Sequence, residues 1–266
     1  MRTPKLWITA AGFALALLAT PLQALSAQPG KWDYAYAAGL RTEPFGGRLW
    51  GELGYNYLLW GASPGAGNPF YGYVRPKVSA QTSGKVNRAD VGIDFAFWAP
   101  LVFEVTYAWD HRSGDFPQFN CSVMQCRGLL TRTKVAAKVT LGYGDYFLLW
   151  DSRMEQVKGP DSPVRDFGDH AWSLAGKYPK DTILASELTL GRKLNETYSV
   201  GVRGERAMFR ESKENYTTAL GFVAIRYPSG LNYFVGAGYY ESSRANPGFT
   251  TSFGLSWVPE KSFSIR

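Results

Sequence analysis

One stretch limits the folds open to this chain more than any other. Residues 93–110 read IDFAFWAPLVFEVTYAWD, and the apolar run FAFWAPLVF inside it carries a proline at its centre. Before the proline, Val91, Ile93, Phe95 and Phe97 alternate with Asp90, Gly92, Asp94 and Ala96. After it, Leu101, Phe103, Val105, Tyr107 and Trp109 alternate with Val102, Glu104, Thr106, Ala108 and Asp110. A period of two puts the large apolar residues of each arm on one face of a strand. A membrane helix would instead need ~20 consecutive apolar residues. The run therefore reads as two strand ends joined by a tight turn at Ala99–Pro100, where a proline interrupts no ladder.

The same period recurs along the chain. Trp32, Tyr34, Tyr36, Ala38 and Leu40 share one face, Leu49, Leu53, Tyr55, Tyr57 and Leu59 another, and Val74, Pro76, Val78 and Ala80 a third. Residues 129–141 set Thr133, Val135, Ala137, Val139 and Leu141 against Arg132, Lys134, Ala136, Lys138 and Thr140. With segments 146–157, 182–192, 197–210, 216–227, 231–240 and 249–257, and the two arms around Pro100, the pattern predicts twelve strands. Their connections alternate in length. WAP, GYGD, RKLNE and YPSG are short, whereas 111–128 and 158–181 are long. Turns on one side and loops on the other are the layout of an up-and-down barrel that spans a membrane, with both termini on the turn side. GASPGAGNP at 61–69 is long for that side, and HAWSLAG at 170–176 could form a further hairpin and bring the count to fourteen.

The N-terminus agrees with export. MRTPK is basic, LWITAAGFALALLA is an uncharged apolar segment of signal-peptide length, and QALSA supplies small residues for cleavage after Ala27 or Ala24. Residues 1–27 are read as a removed signal and 28–266 as a single barrel domain. Cys121 and Cys126 are the only cysteines and lie in a polar stretch, NCSVMQC, where they can close a small loop as a disulfide in an oxidising compartment. That stretch offers too few further ligands for a metal site, and no phosphate-cradling loop is visible, so no metal or cofactor is expected. The formal net charge of +7 is spread without a dense Lys/Arg run, which argues against nucleic acid as a partner.

With signal segment, alternating strands, crowded aromatics at the turns and the terminal strand FTTSFGLSW, residues 28–257 resemble the bacterial outer-membrane β-barrel proteins as a superfamily. Phe249, Thr251, Phe253, Leu255 and Trp257 share a face in that last strand, which looks like the segment by which such barrels are recognised for assembly. It departs from the usual pattern because VPEKSFSIR follows it. The resemblance implies a place in the outer membrane of a Gram-negative bacterium, with its lipid and its barrel assembly machinery as partners. The rival fold, a secreted soluble β-sandwich or barrel, would carry a polar outer face. Here the more polar face holds Gly, Ala, Ser and charges, and the other is Leu, Val, Phe, Tyr and Trp.

If the polar face points inward, the lumen is lined by Arg75, Lys77, Arg88, Arg132, Lys134, Lys138, Arg153 and Arg203. Its acids are Glu52, Asp90, Asp94, Glu104, Asp110, Asp151, Glu155, Glu187 and Glu205. Strands three and six are then basic, and strands four and five between them acidic. Three function classes follow. The first is a water-filled pore passing small charged or polar solutes along a solute path that includes Arg75, Lys77, Asp94, Glu104, Arg132, Lys134, Lys138 and Arg153. The second is a structural barrel whose interior charges pair and fill it, Glu104 with Lys134 or Lys138 for example. The third is a hydrolase at the extracellular rim. Its candidate residues are Asp110–His111 and Asp169–His170, the only histidines, each preceded by an acid. Consecutive residues of a strand face opposite ways, so neither pair makes a dyad by itself. Ser152 and Ser186 are lone hydroxyls on the lipid face.

Overall fold

The computed structural model describes residues 28–42, 46–61, 70–115, 119–159, 165–169 and 173–258. The proposed signal segment, His170 and most of 61–69 lie outside them. Seven long strands come first: β1 (Gln28–Arg41), β2 (Gly46–Gly61), β3 (Tyr71–Thr82), β4 (Val86–Trp98), β5 (Leu101–Arg112), β6 (Gly128–Tyr143) and β7 (Tyr146–Lys158). Two short ones follow, β8 (Phe167–Asp169) and β9 (Leu174–Gly176). Five more complete the chain: β10 (Lys180–Lys193), β11 (Tyr198–Phe209), β12 (Asn215–Arg226), β13 (Leu231–Ser242) and β14 (Ala245–Trp257).

The long strands form one closed antiparallel barrel in which each pairs with the next, β7 with β10, and β14 back onto β1. The wall has twelve strands, as the alternation predicts. The alternative of fourteen fails because the 170–176 region supplies only β9, which pairs with β8 as a separate two-stranded hairpin. Limbs of three residues cannot cross a bilayer that asks for about 9–11.

Alternation decides which way every side chain points. Val91, Ile93, Phe95 and Phe97 on β4 and Phe103, Val105, Tyr107 and Trp109 on β5 are exposed on the outer wall, while Asp94, Glu104, Thr106 and Asp110 are buried inside. Such an outer face suits hydrocarbon, and closure leaves no edge whose backbone groups would go unpaired there. Aromatic contacts gather at the end that carries the termini. Trp60 meets Phe97 at 5.1 Å, Phe70 stacks on Trp98 at 6.3 Å, and Trp32 meets Tyr55 at 4.9 Å. They form an interfacial belt beside the Ala99–Pro100 turn, which Thr140 N–H closes onto the Pro100 carbonyl at 2.9 Å. The barrel closes where β1 meets β14, paired from Tyr36–Trp257 to Arg41–Ser252 among the described residues.

Candidate functional site: a charged lumen under a hairpin plug

The inner wall of β1–β7 carries a continuous lattice of ion pairs. Arg75 on β3 is fully buried and reaches past β2 to Asp33 on β1, with Nη2 and Nε at 2.6 and 2.8 Å from Oδ1. Its Nη1 also bonds Glu52 at 2.7 Å and Asp94 at 3.1 Å. The reach depends on Gly54, since a Cβ there would lie 2.3 Å from Arg75 Nε. Lys77, two residues on, holds Asp94 at 2.7 Å, Glu104 at 3.0 Å and Glu52 at 3.7 Å. Glu104 then collects two further ammonium groups from β6, Lys134 at 2.8 Å and Lys138 at 2.6 Å, and accepts the Thr106 hydroxyl at 2.8 Å.

Exposure within this group is uneven. The Glu104 side chain is 3% exposed, against 17% for Lys134 and 40% for Lys138. The carboxylate is the buried foundation of the group, and Lys138 is its most exposed cation.

Nearer the loop end, Arg132 on β6 joins three acids: Asp110 at 2.6 Å, Glu155 at 3.3 Å and Asp169 of the hairpin at 2.5 Å. Arg88 adds Asp90 at 2.7 Å and Asp110 at 3.6 Å. Across the lumen, Arg41 of β1 and Arg153 of β7 converge on Glu205 of β11 at 3.2 and 3.9 Å, and Arg41 also donates to the Tyr216 hydroxyl. Arg203 pairs with Glu187 at 2.7 Å. The walls of β12, β13 and β14 differ. Thr218, Leu220, Phe222, Phe234, Gly236, Gly238, Thr250, Ser252 and Gly254 take the inward positions there, with the Phe222 and Phe234 rings 5.3 Å apart.

The β8–β9 hairpin closes the loop end. Phe167 and Leu174 are fully buried in one apolar cluster with Leu130, Val157, Ile183, Phe209, Tyr216 and Tyr240 from the wall. Polar ties fix it further. Arg112 donates to the Gly168 carbonyl, Glu214 accepts Ala175 N–H at 2.5 Å, and the Gly168 N–H meets the Gln125 carbonyl at 3.2 Å. Gln125 belongs to the loop that the Cys121–Cys126 disulfide cinches, so the expected bridge forms and braces the plug. Asp181 takes backbone N–H groups from Lys177, Glu211 and Ser212 at 2.9–3.1 Å. In the same loop burial would raise the Asp166 carboxyl, but Tyr178 N–H and the Lys177 ammonium, each at 3.1 Å, hold it below the usual carboxylate range.

The hydrolase candidates separate. Asp110 points inward to Arg132, and His111 is exposed on the outer wall. Asp169 is spent on the same arginine, and His170 lies outside the described residues. Ser152 and Ser186 face each other across β7 and β10 on the outer wall, where Ser186 accepts the Trp150 indole N–H at 3.2 Å. Among the described residues no group of three His, Cys, Asp or Glu could hold a metal ion. Sequence reasoning passed over Asp33, Arg41 and Arg112. Asp33 alternates inward with Ala35 and was readable as a lumen acid. Arg41 and Arg112 sit at strand ends, where facing is decided by what packs above them.

Fold and site together define a lipid-facing up-and-down β-barrel with a charged, capped interior. No protein-family model matches the sequence, and no curated protein matches it. Among solved structures the chain is similar to a KdgM porin in complex with disordered oligogalacturonate (10% identity, TM-score 0.42, covering 85% of this chain and 98% of that one). It is also similar to the translocator domain of the autotransporter NalP from Neisseria meningitidis (12%, 0.39, 94% of each). A third is the outer-membrane expressed OmpT of Vibrio cholerae (9%, 0.43, 88% and 99%). These likenesses concern the barrel architecture alone.

Proposed function

We propose that the protein is an outer-membrane barrel whose lumen admits small anionic solutes, with the β8–β9 hairpin as its cap on the extracellular side. The observation that carries this reading is the stacking of three lysines on the one buried carboxylate of Glu104, with Lys138 the most exposed of the group. The lattice as a whole balances four acids with four cations, but the balance is uneven in depth: Glu104 is buried, whereas Lys138 at 40% exposure presents positive charge to whatever enters. In a narrow passage with low-dielectric walls that charge is felt more strongly than in bulk water, so anions are drawn in and cations repelled. A removed signal segment and delivery by the barrel assembly machinery belong to the same proposal.

The test is Lys134→Gln with Lys138→Gln in planar bilayers. Lys77 still pairs with Glu104 in this variant, and thermal unfolding of the same variant checks that the barrel is intact. The reversal potential under a salt gradient is expected to move towards cation preference, several-fold in the permeability ratio. An unchanged reversal potential in a conducting barrel, or a wild type that never conducts, overturns the reading in favour of a filled structural barrel.

A further inference from the structure

The outer wall is not evenly covered. A cross-strand row on its loop-side half runs Tyr36, Gly51, Ala80, Ala89, Trp109, each residue the direct register partner of the next. Three small residues between two exposed aromatic rings leave a trough in an otherwise bulky surface. Four inter-strand steps of about 4.8 Å make it roughly 19 Å from ring to ring. Its volume is about 640 Å³, and it is open to the outside along its length.

The next row towards the loop end changes character. Thr82, Asn87 and His111 are register partners in sequence, held between Leu49 and Leu129. Thr82 Oγ1 and Asn87 Oδ1 are already 2.8 Å apart, and all three face out of the barrel. Polar side chains directed at hydrocarbon would be costly. At the edge of the hydrocarbon, however, they meet the ester and headgroup level of a lipid. Just above, Lys85 lies on the exposed strand-end turn and donates to the Asp115 backbone carbonyl at 2.7 Å, while Asp115 itself is paired with Arg127 at 2.9 Å. Among the described residues no carboxylate pairs with Lys85.

We propose that this trough is a binding site for one anionic lipid of the loop-side leaflet. Its chains lie over Gly51, Ala80 and Ala89 between Tyr36 and Trp109. Its ester and headgroup region is held by Thr82, Asn87 and His111, with its negative charge towards Lys85. The proposal rests on the lipid-facing wall and not on the solute reading, so either can fail alone.

Native mass spectrometry of the full barrel released from micelles doped with dimyristoyl phosphatidylglycerol tests it. The wild type is expected to retain one lipid, and to retain dimyristoyl phosphatidylcholine about tenfold less. Ala80→Phe with Ala89→Phe, which fills the trough from outside, should abolish retention, while Ala219→Phe on the distant outer wall should leave it intact. Should the filled variant fold poorly, Asn87→Leu with His111→Leu keeps the floor and is expected to weaken retention at least fivefold. Equal retention by wild type and by whichever of these variants folds would overturn the site, as would loss of lipid from the Ala219→Phe barrel to the same extent.

Discussion

The two sides of the lumen solve the problem of a polar interior in opposite ways. From β1 to β7 the inward positions are ionised and locked into one another, Asp33 to Arg75 to Glu52 to Lys77 to Glu104. From β12 to β14 the middle positions are glycines, hydroxyls, Leu220 and a pair of phenylalanines. The first side fills its space with side chains whose burial is compensated by partners. The second is built of small and apolar side chains that need no ionic partner, with Thr218, Leu220, Phe222 and Thr250 buried.

Three changes break or sharpen this contrast. The largest effect is expected from Arg75→Met, which takes from Asp33, Glu52 and Asp94 the cation they share and leaves Lys77 with the latter two. Removing one partner of a buried ionic group costs about 3–5 kcal/mol, and urea unfolding in micelles should record a loss of that size. A loss below about 1 kcal/mol would mean that the lattice is solvated and not structural. Next is Gly54→Ala, which changes no charge. Its methyl group would fall where the Arg75 guanidinium lies, and overpacking of this kind costs about 1–3 kcal/mol. Combining it with Arg75→Met should cost less than the two separately, because the obstacle and the obstructed side chain are then both gone. The smallest effect on stability belongs to Ser252→Glu, on the second wall beside Arg41. It should stay within about 0.5 kcal/mol of the wild type while reducing anion preference in the bilayer assay. A large destabilisation there would show that the second wall is also packed shut.

Much of this was legible in the sequence because a strand reports its own facing. The alternation of residues 93–110 is enough to send Asp94 and Glu104 inward and Phe95 and Phe103 outward, and the same logic holds for Arg75, Lys77, Lys134 and Lys138. What a single strand does not report is its register against its neighbours. That Lys77, Lys134 and Lys138 meet on one carboxylate depends on how β3, β5 and β6 are staggered, and that Arg41 reaches Glu205 depends on barrel closure. The trough on the outer wall is hidden for the same reason, since Gly51, Ala80 and Ala89 are unremarkable in their own strands and only become a floor when three registers align. The plug lies in a stretch, 158–181, that reads as a long connection with a hairpin at 170–176 as the alternative, because limbs as short as Phe167–Asp169 carry too few residues for a period to show.

The seam between β1 and β14 has a mechanical consequence. A cylinder squeezed sideways by the surrounding lipid is held closed along the line where its first and last strands meet, which among the described residues runs from Tyr36–Trp257 to Arg41–Ser252. At the loop end of the seam the Thr42 N–H continues the ladder to the Thr251 carbonyl at 3.1 Å. Arg41, on the last rung, is also one end of the beam that crosses to Glu205 on the far side. The residue on that rung thus also braces the hoop, because its guanidinium spans from the closing strand to β11.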